Sequence, residues 1–236
     1  MSVDSKYGMQ VRQNKWAEKG LLKFGYNSAV STDDETIWDG GGIYSYPSSA
    51  STMSVSSDDD TDTSVVTISG LDDNYDRATE TVTITGQTAV TTSTSFVRVN
   101  RVTVDSGEPS GAIYIGTGTV TSGVPANIFA KVQTGENQTL MAVWTVPAGF
   151  TAYLQVLTVS CGTSVSNKYT EARLKVRPFG GVFQTKAHLT LQNAHVQQNF
   201  DYPVVITEKS DIEVRALTSS GTDSVSATFS LVYVKN

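Results

Sequence analysis

From Thr52 onward, apolar and polar residues alternate along the chain with a period of two. Met53 and Val55 alternate with Thr52, Ser54 and Ser56. Thr79-Glu80-Thr81-Val82-Thr83-Ile84-Thr85 repeats the pattern, and Phe96 to Val104 extends it. Period two is the signature of a strand with one buried face. Further strands are predicted at 65–68, 112–115, 128–132, 139–146, 151–161, 171–177, 182–191, 204–206, 211–217 and 224–234. Residues 70–76 read as the connection of an antiparallel pair, and Pro147-Ala148-Gly149 as a turn. About a dozen strands, ~8–15 residues apart, are the pattern of an antiparallel β-sandwich or jelly roll. Arg98 and Arg101, in one of these strands, are expected at exposed or interfacial positions.

The first 50 residues lack this periodicity. Gly8 and Gly20 weaken any helix there, and Gly40-Gly41-Gly42 breaks regular structure beside Trp38. The stretch is nonetheless too apolar to stay in water, since it holds Trp16, Phe24, Tyr26, Ile37, Trp38, Ile43, Tyr44 and Tyr46. The expectation is an irregular N-terminal arm over 1–50 whose aromatics pack on something else. Trp16, Phe24, Trp38 and Tyr44 are the expected assembly interface with a neighbour.

Composition agrees with an all-β chain. Charged residues are 17% of the total, below the usual level of about 25%. Ser and Thr make up roughly a quarter, and Thr favours strands. The net charge of −6 is unevenly placed: residues 1–95 carry 14 acids and 6 bases, residues 96–236 carry 9 acids and 11 bases. An acidic front half argues against broad nucleic-acid binding. The expected organisation is the arm 1–50, a small acidic β subdomain over 51–95, and a β-sandwich or jelly-roll domain over 96–236. No stretch approaches the ~20 apolar residues of a membrane helix. The N-terminus lacks a signal-peptide core, so synthesis in a cytoplasm is expected.

Candidate chemistry is sparse. Asp72-Asp73-Asn74-Tyr75-Asp76 begins like a calcium loop, but Arg77 and Thr83 stand where Gly and Glu are needed. Asx residues also make turns, and the acidic run Asp58-Asp59-Asp60 with Asp62 reads as a solvated hairpin tip. His188 and His195 lie seven apart, without the companions that a metal or triad requires. Cys161, the lone cysteine, sits in an apolar run and reads as a buried small hydrophobe. No catalytic, cofactor-binding or metal residues are expected, and the chain reads as non-enzymatic. The exposed aromatics and many hydroxyls would also suit a carbohydrate-binding module.

Five segments resemble a known pattern. They are Lys23-Phe24-Gly25-Tyr26-Asn27, Ile37-Trp38-Asp39-Gly40-Gly41-Gly42, Gly70-Leu71-Asp72 with Tyr75, Asn137-Gln138-Thr139-Leu140-Met141, and Lys175-Val176-Arg177-Pro178-Phe179-Gly180. Together they resemble a virion structural protein family of tailed bacteriophages, notably marine podophages. One departure is Tyr26, where the family pattern has a basic residue. The resemblance implies a particle component located in the virion, partnered by itself and by other virion proteins, with no nucleic acid and no membrane. It leaves open head decoration, a tail or fibre component, and an adsorption module, and it transfers no catalytic residue.

Overall fold

The computed structural model describes residues 19–162 and 167–236. In chain order the strands are β1 (Lys19–Val30) and β2 (Glu35–Thr36); β3 (Ser51–Ser57), β4 (Val65–Leu71), β5 (Arg77–Thr83), β6 (Val90–Phe96), β7 (Arg98–Ser106), β8 (Ile113–Thr121) and β9 (Val124–Val132); then β10 (Val143–Thr145), β11 (Phe150–Cys161), β12 (Thr170–Arg177), β13 (Gln184–Leu191), β14 (His195–Ile206), β15 (Asp211–Thr218) and β16 (Asp223–Lys235). All the described pairings are antiparallel.

The strands form two sandwiches, one inserted into the other. In the outer sandwich, one sheet runs β1-β16-β11-β14 and the other β10-β15-β12-β13, with β2 beside β15. Counted as a unit, β2 and β10 occupy one strand position along β15: β2 pairs with Arg215 and Ala216, and β10 with residues 211–213. Ile37 N–H donates to Val214 O, and Val214 N–H to Ala142 O, so the ladder runs on from one to the other. With that position counted as the second, the sheet orders become 1-8-3-6 and 2-7-4-5, an eight-stranded jelly roll. The chain leaves the second strand after Ile37 and re-enters it at Ala142, whose N–H donates to Ile37 O at 2.9 Å.

Between those points lies the inner sandwich, with sheets β6-β3-β8-β9 and β5-β4-β7. Each sandwich has its own core. The outer core gathers Leu154, Leu157, Leu174, Ile212, Val214 and Phe229. The inner core gathers Met53, Ile68, Ile84, Phe96, Ile113 and Ile115.

This layout corrects the expected domains. Residues 51–95 are no separate subdomain: β3 pairs with β8 and β4 with β7, all on one core. Residues 96–236 are no single unit either, because 96–141 belong to the inner sandwich. The acidity of 51–95 marks surface charge, whereas the boundary is set by non-local pairing.

The irregular arm is also shorter than expected. Residues 31–50 are mostly irregular, but β1 is a twelve-residue strand. Its core-facing row reads Leu21, Lys23, Gly25 and Asn27, opposite Leu231, Phe229, Ala227 and Val225. Gly25 is required there, because a Cβ would overlap the Ile37 carbonyl oxygen and the Ala142 nitrogen.

Candidate functional site

Trp38 and Tyr44 do not wait for a neighbour. Trp38 is 5% exposed and Tyr44 3%, and both belong to the inner core. The Trp38 indole N–H donates to Gly41 O at 2.9 Å, and its ring meets Tyr44 edge-on at 5.1 Å. Tyr44 Oη donates to Phe129 O at 3.0 Å. The triple-glycine turn is what lets the chain fold over the indole: Gly41 and Gly42 have φ of 70° and 62°, and a side chain on Gly40 would overlap the ring. As an assembly interface these two residues are therefore corrected to intrachain core. Phe24 is half-buried on the outer row of β1, with the Arg101 guanidinium 5.6 Å over its ring. Trp16 lies outside the described residues.

The other sequence candidates serve the fold locally. Asp72 Oδ1 accepts the N–H groups of Asn74 and Asp76, closing the β4–β5 turn. Asp58 accepts from Ala112 N–H and Tyr114 Oη, and Asp62 accepts from Ser110 and Gly111 N–H, so this acidic run ties the loop before β8 onto β3. Burial, then the Asp58 carboxylate, push the Tyr114 phenol up to about 12. His188 lies 3.3 Å from Glu171 on the exposed face of β13, while His195 starts β14 in the opposite sheet. Cys161 is a buried free thiol of the outer core.

The segments carrying the sequence resemblance, spread from residue 23 to 180, meet at the junction of the two sandwiches. Lys23 Nζ donates to Asn100 O, Tyr26 N–H to Leu140 O, and Trp38 bridges to Met141. Gly70 packs against the Arg98 carbonyl, and the Tyr75 ring lies 5.4 Å from the Arg98 guanidinium and 5.6 Å from the Phe179 ring.

At the centre is a buried ion cluster. Arg98 of the inner sandwich donates from Nε and Nη2 to the two oxygens of Asp211 in the outer one, at 2.8 and 3.1 Å. Arg177 joins from β12, with Nη2 2.6 Å from Asp211 Oδ2, and Thr145 Oγ1 donates to Oδ1 at 2.6 Å. Tyr46 lies between the two guanidinium groups, at 5.1 and 4.5 Å. Sequence reasoning placed Arg98 at an exposed or interfacial position, whereas it is buried and its partner stands 113 residues away.

Beside this junction lies a cavity of about 390 Å³ lined by Tyr26, Glu35, Trp38, Asp39 and Glu136. Desolvation raises the Asp39 carboxyl to about 7, Glu136 adds to the rise, and the Leu140 N–H bond and Lys131 oppose it. The folded form then holds a proton that the unfolded chain has lost, so this group's contribution to stability falls as pH rises from about 4 to 7. Asp39→Asn is therefore expected to flatten that slope. The check is the difference between variant and parent unfolding curves across this pH window; an unchanged slope rules the account out.

The outer sandwich faces the inner one with β1 and β10 and turns the edges β13 and β14 away. Along that far flank the core is only partly closed: Leu189, Val196, Phe200 and Val204 pack on it while half-exposed. The β11–β14 ladder passes from Asn199 to Val204, so residues 200–203 bulge out, and Tyr202 there is 91% exposed. Nearby Val205 is 61% exposed. The strand carries one carboxylate, Asp201, and neither Lys nor Arg. Asp201, Pro203 and the bulge interrupt this edge at 200–203, and on either side of them the strand carries no charged residue.

No family model matches the chain, and no curated protein matches it. Among solved structures, that of infectious bursal disease virus, Gx strain, aligns over 93% of this chain and 72% of that one, at 10% identity and a TM-score of 0.28. The Gt strain structure aligns over 92% and 72%, at 12% identity and a TM-score of 0.23. The crystal structure of the VP2 subviral particle of the same virus aligns with a TM-score of 0.22, at 10% identity over 92% and 72%.

Proposed function

We propose that the protein is a non-enzymatic structural subunit of a tailed-phage virion that associates with its own copies and docks on the head as a decoration layer. The observation that carries this reading is the uncovered β13–β14 flank of an eight-stranded jelly roll. Jelly rolls of this kind build viral capsid domains, and half-covered apolar side chains with the exposed Tyr202 and Val205 along one flank favour a neighbouring chain over water. The sequence resemblance adds the phage context. Its segments gather where the two sandwiches are joined, which is the signature of an architecture rather than of a reaction.

Tyr202→Lys with Val196→Lys would place charge on the bulge and on the half-covered row. The double variant is expected to shift the protein from oligomer to monomer in sedimentation velocity at unchanged secondary structure. Equal mass for parent and variant at all concentrations would sink the flank as the association surface. Copy number in purified particles separates the head layer, which matches a capsid lattice, from a tail or fibre component, which matches a single ring.

Jelly rolls also build lectin domains, and the exposed ring of Tyr202 keeps sugar binding as the second reading. Glycan-array binding lost in Tyr202→Ala would favour it.

A further inference from the structure

The described arginines divide into two groups. Arg98, Arg173, Arg177 and Arg215 each pair with a carboxylate. Arg77 and Arg101 pair with none among the described residues, and both line the same cleft between the two sandwiches. Each guanidinium is braced on an aromatic ring instead, Arg77 on Phe150 at 5.4 Å and Arg101 on Phe24 at 5.6 Å. Lys23 lines the cleft too; it is 2% exposed, and its single described partner is the Asn100 carbonyl oxygen. Burial, and then Arg101, lower its pKa well below that of an ordinary lysine.

The cleft continues past Arg77 and Pro147 into a second hollow, where Lys19 and Lys235 stand against one acid, Asp76. The two hollows measure about 270 and 620 Å³. Four cations, Lys19, Arg77, Arg101 and Lys235, and one carboxylate thus line one groove of a chain whose net charge is −6, with Lys23 buried in its wall. The floor of the narrower part is apolar, formed by Leu21, Trp144 and Tyr233.

We propose that this cleft is a docking site for an acidic peptide segment, whose carboxylates meet the guanidinium groups of Arg77 and Arg101 and whose apolar side chain enters between Leu21, Trp144 and Tyr233. Guanidinium forks braced by aromatic rings match the two oxygens of a carboxylate. Two adjoining hollows that share Arg77, Thr79 and Pro147 offer room for successive residues of a peptide, and the apolar side chains of the first select a peptide over a bare anion. The site lies away from the β13–β14 flank and stands or falls separately from self-association there.

The test is calorimetric titration of the full chain with an acetylated, amidated Glu-Phe-Glu peptide, with Gln-Phe-Gln and inorganic phosphate as comparators. Glu-Phe-Glu is expected to bind, to weaken with added salt, and to lose about tenfold or more in affinity in Arg77→Gln, the value of one charge-assisted pair. Arg77 is exposed at the start of β5, so this variant keeps the fold. Arg101→Gln is expected to act in the same direction. Absence of binding, equal binding of Gln-Phe-Gln, phosphate bound as tightly as the peptide, or an unchanged affinity in Arg77→Gln each overturns the proposal.

Discussion

Asp211→Ala should destabilise the protein by roughly 3–5 kcal/mol, the loss that follows when a buried ion cluster keeps its cations and loses its anion. Asp211 is buried and accepts from Arg98, Arg177 and Thr145 together. Arg98 cannot escape to solvent once the carboxylate is gone. Its Nη1 is fixed by the carbonyls of Pro47 and Val97, and its guanidinium carbon lies 5.1 Å from the Tyr46 ring and 5.4 Å from the Tyr75 ring. For a chain of this size the thermal midpoint should fall on the order of 10 °C, at about 2–4 °C per kcal/mol. Because the cluster ties one sandwich to the other, its loss should also split a single calorimetric transition into two. Arg98→Met with Asp211→Leu removes both charges from the pair and should recover part of the loss, since an apolar replacement leaves less charge buried unpaired. A single transition within about 2 °C of the parent in Asp211→Ala would show that the cluster does not join the two units.

How much of this was legible in the sequence depended on where each signal was written. The strands β4, β7, β11, β12, β15 and β16 announce themselves because one row is apolar and the other bears hydroxyls or charges. In β16, for instance, Val225, Ala227, Phe229 and Leu231 alternate with Ser224, Ser226, Thr228 and Ser230. Strand β1 hides itself because its inward row contains Lys23, Gly25 and Asn27 while Leu22 and Tyr26 point outward. Each exception is explained by a partner outside the strand: Lys23 meets Asn100, Gly25 makes room for Ile37 and Ala142, and Asn27 holds Glu35. The first half of β14 was missed for a related reason, since Gln197, Gln198 and Asn199 interrupt the apolar row.

The insertion itself could not be read locally. Nothing in Ile37 or Ala142 states that they are neighbours, and composition instead drew attention to the acidic stretch over 58–62, which fastens a loop. Of the described aromatic residues of the first fifth, Trp38 and Tyr44 are buried as expected, Phe24 and Tyr46 are half-buried, and Tyr26 is exposed. Their partners are within the chain for Trp38 and Tyr44, because the glycine turn brings the segment back onto β9. What the resemblance supplied was a set of segments, and their meaning appears only when they are seen to converge on the junction.

Deleting residues 1–30 should abolish the outer sandwich, whereas deleting 1–18 should leave its cooperative unfolding in place. The longer truncation removes the whole ladder between β1 and β16, from Lys19↔Tyr233 to Val30↔Asp223. It uncovers Phe229 and Leu231 along that edge, removes the buried Val30 and the packed Leu21, and strips the junction of the bonds from Lys23 to Asn100 and from Tyr26 to Leu140. Each large apolar side chain returned to water counts about 1.5–3 kcal/mol, against a total stability of roughly 5–15 kcal/mol for an ordinary domain. A handful of such losses therefore exceeds what the fold has to spare. The inner sandwich is placed to survive, since it has a core of its own and its two ends already lie side by side at Ile37 and Ala142. Limited proteolysis of the longer truncation should accordingly leave a resistant fragment close to residues 38–141, with the remainder digested. The shorter truncation removes no strand of either described sheet system, so any loss of particle assembly it causes would be assigned to that segment, Trp16 included, and not to misfolding. A single cooperative transition retained after removal of residues 1–30 would mean that β1 is an accessory to the jelly roll rather than its first strand.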